Sequence, residues 1–314
     1  MRQITNKKQY SEVLVNAIKH ATKEYQSGRG ETDYSCTQLI DDPTVRRMSI
    51  LFKDEIVEDV DDLYFTIFGS ILHKILEDNA GETDTPEQRW FLDVNGKTVS
   101  GQGDHLAADG VMSDYKYTSV FKIKKKQANV EWERQLNVLK YLAESSGDEI
   151  TKLQIIAYPK DWRKSESMRT EDYPTKETVI EFPIWSTKDA EDYIERQVEL
   201  HKEADLIDDP EKLPICSDEA RWKDEDKWAV KKVDGKRAIK VHEDEDEANK
   251  HKEELEEKNP KDLYTIEFRK GTSKRCEEYC RCRFVCPHSP HVEGKKKLDS
   301  KIARLVAAKK ERNK

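Results

Sequence analysis

No stretch of this chain is apolar for long enough to cross a bilayer, and no hydrophobic segment follows the charges of Met1 to Tyr10. Those two gaps argue against a membrane-spanning protein and a secretory leader, and predict a soluble, cytoplasmic one. Net positive charge is also missing: 56 Lys and Arg stand against 64 Asp and Glu, for a formal charge of -8. That argues weakly against nonspecific coating of nucleic acid, and local distribution matters more than the total, so a basic groove on an acidic protein is still open. Apolar residues are scarce, 35% against 38% charged, so a core must come from a few periodic segments. Repeats at solenoid periods are absent too.

What is present suffices for one substantial core and a small appended module within 314 residues. Helical spacing runs over Lys8 to Tyr25, a helix begins near Pro43, and a strongly amphipathic helix spans Asp62 to Asp78 with His73 beside its apolar stripe. Then come strands at 90–94, 98–107 and 111–118, with turn signals at Asn95-Gly96 and Asp109-Gly110, which reads as a meander. A helix over Asn129 to Glu144, strands at 153–158 and 178–184 and a helix over Lys188 to Leu206 complete an α/β pattern. Residues 226–270 form a β-β-α-β module of their own within a Cys-bearing region, 216–290. The Lys-rich tail, 291–314, reads as an exposed helix or a disordered segment.

The meander carries the chemistry. Alternate residues of a strand share a face, so Asp114 and Lys116 project together, and the turn at Asp109-Gly110 returns Asp104 close to Asp114. Two carboxylates that close repel unless a cation lies between them, and oxygen ligands suit Mg²⁺ or Mn²⁺. Alone, an Asp-x-Lys tripeptide is ordinarily an exposed salt bridge; its position on a hairpin, with helices bearing His upstream and Gln downstream, favours a site. His105 faces away from Asp104's side of the strand and reads as structural. Lys122, Lys124, Lys125 and Lys126 follow the strand and read equally as a phosphate contact or a solvated charge run.

This order resembles the PD-(D/E)XK superfamily, in its RecB-like branch of phage nucleases and CRISPR-adaptation-associated exonucleases, over roughly residues 33 to 290. The branch's Gly-x-x-x-His element is similar to Gly69 to His73, its middle-strand acid to Asp104 with Gly103 in the Pro position, and its D/E-x-K element to Asp114-Tyr115-Lys116. Its Gln motif is similar to Gln135-Leu136-Asn137, with Leu139 where a Tyr often stands. The resemblance implies a mixed central sheet flanked by helices. It further implies that His73, Asp104, Asp114 and the Tyr115 carbonyl hold the metal, and that Gln135 orients Lys116 or a phosphate.

Four of six cysteines crowd between Cys276 and Cys286, too densely for disulfides in a reducing cell, so thiolate ligation is expected. Zinc on Cys276, Cys280, Cys282 and Cys286, with His288 and His291 nearby, is one reading. The resemblance implies the other, a [4Fe-4S] cluster on Cys276, Cys280 and Cys286 with Cys216 or Cys36 as the distant ligand; Cys216 is preferred because Cys36 does not directly precede a Pro.

The expected function is a Mg²⁺- or Mn²⁺-dependent deoxyribonuclease, an exonuclease in phage recombination, repair or processing, acting on DNA and on single-stranded ends by analogy. A phage recombination or single-strand-binding protein would be its partner. The competing readings are a non-catalytic DNA-binding or assembly protein and an RNA-directed nuclease.

Overall fold

The computed structural model describes residues 3–27, 31–126 and 129–292. The expected tail, with Lys295 to Lys297, lies outside them from residue 293 on. Contacts divide the chain into two units, Met1–Leu213 and Pro214–Lys314.

The first unit opens with β1 (Gln3–Thr5), α1 (Glu12–Ser27), β2 (Tyr34–Ser35), α2 (Cys36–Leu39) and α3 (Pro43–Leu51). Helix α3 starts where the Asp42 side chain accepts from Thr44 N–H and Pro43 fills the first turn, which needs no N–H there. Then follow β3 (Val57–Asp59) and α4 (Val60–Glu77), capped by Asp59 with Asp61 and Asp62 against the positive end of its dipole. The hairpin of β4 (Thr85–Val94) and β5 (Lys97–Leu106) turns at Asn95 and Gly96, both with positive φ, the conformation a two-residue turn of matching twist requires. After β6 (Val111–Thr118) come α5 (Val120–Lys124), α6 (Val130–Ser145), β7 (Lys152–Pro159), α7 (Lys164–Ser167), β8 (Thr178–Phe182) and α8 (Thr187–Asp205).

Six strands form one mixed sheet in the order β2-β5-β6-β7-β8, with β4 paired to the other edge of β5. β6 and β7 run parallel through eight residue pairs; β4 with β5 and β7 with β8 are antiparallel. Helix α6 is buried on more than one side because it packs on β4, β5 and β7 and also against α8. Trp132, Leu136, Leu139 and Leu142 fill the core with Val99, Met112, Leu153 and Ile155. Among the described residues no helix is long and apolar enough to cross a membrane.

One edge of β5 serves two partners in turn. β2 pairs at Val99 and Ser100, β6 pairs at His105 and Leu106, and the four residues between carry no strand on that edge. The sheet thus forks at Gly101 to Asp104.

In the second unit β9 (Lys227–Lys232) lies between β10 (Lys240–His242) and β11 (Tyr264–Arg269), both antiparallel to it, and α9 (Glu245–Lys258) packs on them with Ala248 buried. The two ends of this module are tied together: Asp224 N–H donates to the Thr272 carbonyl at 2.9 Å, and Gly271 passes so close that a Cβ there would collide with the Asp224 carbonyl.

Gly101 is the tightest point under α6. A Cβ there would lie 2.4 Å from Leu139 Cδ2 and 2.9 Å from Leu142 Cδ1. Replacing Gly101 with Val should destabilise the fold by about 1–3 kcal/mol in denaturant titration, whereas Gly69→Ala, with open space around it, should not destabilise it.

Candidate functional site

At the fork, Asp104 would face Asp114 if the β5–β6 register continued, but pairing ends one step earlier at His105 and Ser113. The Asp104 carboxylate takes over the interrupted ladder, its Oδ2 accepting from Tyr115 N–H at 2.7 Å. The side chain is thereby held at the place where the strands part.

Three elements bring groups to it. From α4, His73 places Nε2 3.1 Å from the Tyr115 carbonyl and Nδ1 3.5 Å from Asp104 Oδ1. From α6, Gln135 bridges the two polar residues of β6: its Oε1 accepts from Lys116 Nζ at 3.1 Å and its Nε2 donates to Asp114 Oδ1 at 2.7 Å. From β4, Glu87 comes within 3.6 Å of His73 Nδ1. The expected groups Asp104, Asp114, Lys116, His73, Tyr115 and Gln135 are therefore gathered in one place.

Glu87 was not anticipated. It stands opposite Asp104 where the β4–β5 pairing skips a step, with φ at 52°, and Gln102, itself held by Arg89, donates to its other oxygen. A non-glycine residue with positive φ in a strand is costly unless its surroundings hold it. No periodicity or motif marks it in the sequence, since the bond with Gln102 comes from cross-strand pairing.

His73, Glu87 and Asp104 each offer a ligand atom within 4.8 Å of the others, a combination able to hold a metal ion. Asp114 is outside that set: Lys116 Nζ lies 2.6 Å from its Oδ2. This oxygen is almost wholly buried, with the Lys116 ammonium as its partner. A buried carboxylate oxygen in that condition suits a cation.

The electrostatics agree. Burial, then the charge of Asp114, push the Asp104 carboxyl up to about 7. Burial acts to lower His73, but its contact with Glu87 and the charges of Asp104 and Asp114 outweigh it and raise the ring to about 8. Burial likewise opposes charge on Lys116, and Asp114 and Asp104 overcome it, holding the ammonium above its ordinary value.

Other anticipated residues lie elsewhere. His105 turns to Asp84 at 3.0 Å, away from the centre. Of the basic cluster, Lys122 is paired with Glu131, Lys124 lies over the Tyr173 ring and Lys125 over Phe121, while Lys126 is exposed. Cys36 is a core residue of the first unit: its Sγ lies 3.7 Å from the Gln135 carbonyl, and burial raises its thiol to about 12. In the second unit Cys280 raises the thiols of both Cys276 and Cys286, after burial, so these three share an electrostatic neighbourhood. Arg221 links Cys216 to them, donating Nε to its carbonyl at 2.9 Å while its charge acts on Cys276. None of the six cysteines is in a disulfide.

No family model matches the chain, and no curated protein matches it. The solved structure of SSO0001 is similar over 62% of this chain and 87% of that one, at 18% identity and a TM-score of 0.43, a likeness too slight to carry an argument.

Asp104 and His73 both hold protons more tightly when folded than at their unfolded values near 3.8 and 6.5. Stability from these protons is present at low pH and lost as pH rises through about 7 and about 8. With EDTA present, Asp104→Asn should therefore gain in melting temperature over the parent as pH rises from about 5 to about 8. Equal gains at both ends of that range would contradict the assignment.

Proposed function

We propose that this protein is a metal-dependent nuclease of the PD-(D/E)XK kind that hydrolyses phosphodiester bonds in DNA. The observation that carries the reading is the meeting of Asp104, Asp114 and Lys116 at a forked sheet, with His73 and Gln135 reaching the same point from two helices. A salt bridge on a sheet face needs none of these additions.

His73, Glu87, Asp104 and Asp114, with the Tyr115 carbonyl, are the groups that would hold Mg²⁺ or Mn²⁺. When bound, such an ion polarises the scissile phosphate and makes water more acidic. Asp104 and Asp114 supply the negative charge at the fork, and the Tyr115 carbonyl fixes the ring of His73. Lys116 neutralises the charge that grows on the phosphate oxygens in the transition state. Gln135 is a positioning residue, because one amide ties both Lys116 and Asp114 and so sets the distance between cation and carboxylate.

In the second unit we read Cys216, Cys276, Cys280 and Cys286 as holding a structural [4Fe-4S] cluster. Cys36 is left out of this set as a core residue of the first unit, packed beneath Gln135. Thiolates on one zinc ion approach to about 3.8 Å of each other, given a Zn–S bond of about 2.3 Å. Zinc on Cys276, Cys280, Cys282 and Cys286 would use the same stretch of chain, and the metal the protein holds separates the two readings. Metal analysis of anaerobically purified protein should find iron and sulfide with visible charge-transfer absorption; stoichiometric zinc without iron would reverse this choice.

Lys116→Ala should lower the rate of hydrolysis by about 100-fold or more, judged from the loss of a single transition-state donor, while DNA affinity stays within a few-fold. The measurement is release of product from end-labelled linear and circular DNA with Mn²⁺. Full activity in the variant would sink the catalytic assignment.

A further inference from the structure

Helix α4 does more than carry His73. Phe65, Gly69 and His73 recur at four-residue intervals, so they lie along one stripe of the helix. Between the ring and the imidazole the stripe is bare: a Cβ on Gly69 would meet nothing within 4 Å. The eight steps from Phe65 to His73 cover about 12 Å at about 1.5 Å per residue, enough for about two nucleotides of an extended strand.

Aromatic rings crowd the far end of this stripe. Phe68 lies 6.3 Å from Tyr117, which directly follows Lys116 on β6, and Tyr64 sits 5.3 Å from Phe65 and 5.2 Å from Phe68. Phe65 and Phe68 remain 48% and 39% exposed, unusual for large apolar side chains grouped together. Lys160, from the chain just beyond β7, places its ammonium 4.0 Å from the centre of the Phe65 ring, and no ion-pair partner for it lies among the described residues. Beyond Tyr64 the character changes, because Tyr10 stacks there and donates to Asp61, which is also paired with Lys8.

We propose that the Phe65–Phe68 rings, Lys160 and the bare helix surface at Gly69 form a track for single-stranded DNA, leading its end to His73 and Asp104. Bases stack on Phe68 and on the side of Phe65 away from Lys160, a phosphate pairs with Lys160, and the backbone crosses Gly69, where any larger side chain would stand in the way. Exposed rings beside a cation that has no ion-pair partner among the described residues match the two faces of a nucleotide, an aromatic plane and an anion, whereas a second protein copy would use the rings and leave the ammonium without an anion. Paired bases present only their edges, so duplex DNA cannot use the rings, and the track selects unpaired ends. The proposal rests on the nuclease reading above.

The test uses the full chain with Lys116→Ala, so that the probe survives, and fluorescence anisotropy with a labelled single-stranded oligothymidine, an abasic strand of equal length, and a duplex. Substituting Phe65→Leu and Phe68→Leu together keeps apolar bulk but removes the planes, and should weaken oligothymidine binding about 10-fold or more. Gly69→Leu should do the same by obstruction, and Phe68→Trp should retain binding. The abasic strand should bind the Lys116→Ala chain as weakly as oligothymidine binds the double Leu variant. Unchanged affinity in both the ring and Gly69 variants would overturn the track while leaving the nuclease reading intact, provided the parent cuts. A parent that neither binds nor cuts DNA removes both. A change of mass in sedimentation without a change in affinity would overturn the track and make the face an interface between copies.

Discussion

The arrangement depends on one substituted hydrogen bond. Where β5 and β6 part, the N–H of Tyr115 would be left without the ladder partner a continued register provides, and the carboxylate of Asp104 takes that place at 2.7 Å. A side chain can fill the gap only if the strands separate by about its length, so the bond sets the width of the fork as well as the position of the acid. Everything else at the site is built around that opening. Asp114 follows β6 inward, Lys116 follows it by two residues, and the Tyr115 carbonyl between them turns the other way, toward His73.

The same opening sets up an electrostatic conflict. Two carboxylates in a shielded place repel each other, and the molecule answers with Lys116 and the His73 ring, each forced into its charged form against the preference of a buried group. Two carboxylates, an ammonium and an imidazole thus meet at one point. Glu87 adds a third acid from β4, held in a strained conformation by Gln102 and Arg89. Strain and like charge concentrated at one point are hard to justify as packing, and they give the proposed hydrolytic role its physical basis.

Much of this was legible in one dimension. The strands of the hairpins follow from alternation and from turns that need positive φ, so Asn95-Gly96 marks its own reversal. Helix α6 could be read from Trp132, Leu136 and Leu139, but its second buried side could not, because it depends on packing against α8, far along the chain. Expected element ends drift by a few residues where capping, rather than periodicity, decides: Asp59 starts α4 at Val60, ahead of the apolar stripe.

By itself the sequence determined the chemical types at the centre and their spacing: an acid before a turn, an acid and a lysine after it, a histidine and a glutamine on flanking helices. Strand and helix periods are local properties, so residues ten apart on a hairpin are brought close by rules that need no knowledge of the rest. Only the tertiary structure decided that the hairpin forks, that Glu87 joins His73 and Asp104, and that Cys36 belongs to the core beneath Gln135. Those outcomes come from which strand edges meet and which faces are covered, quantities set by residues distant in the chain and carried by no local pattern.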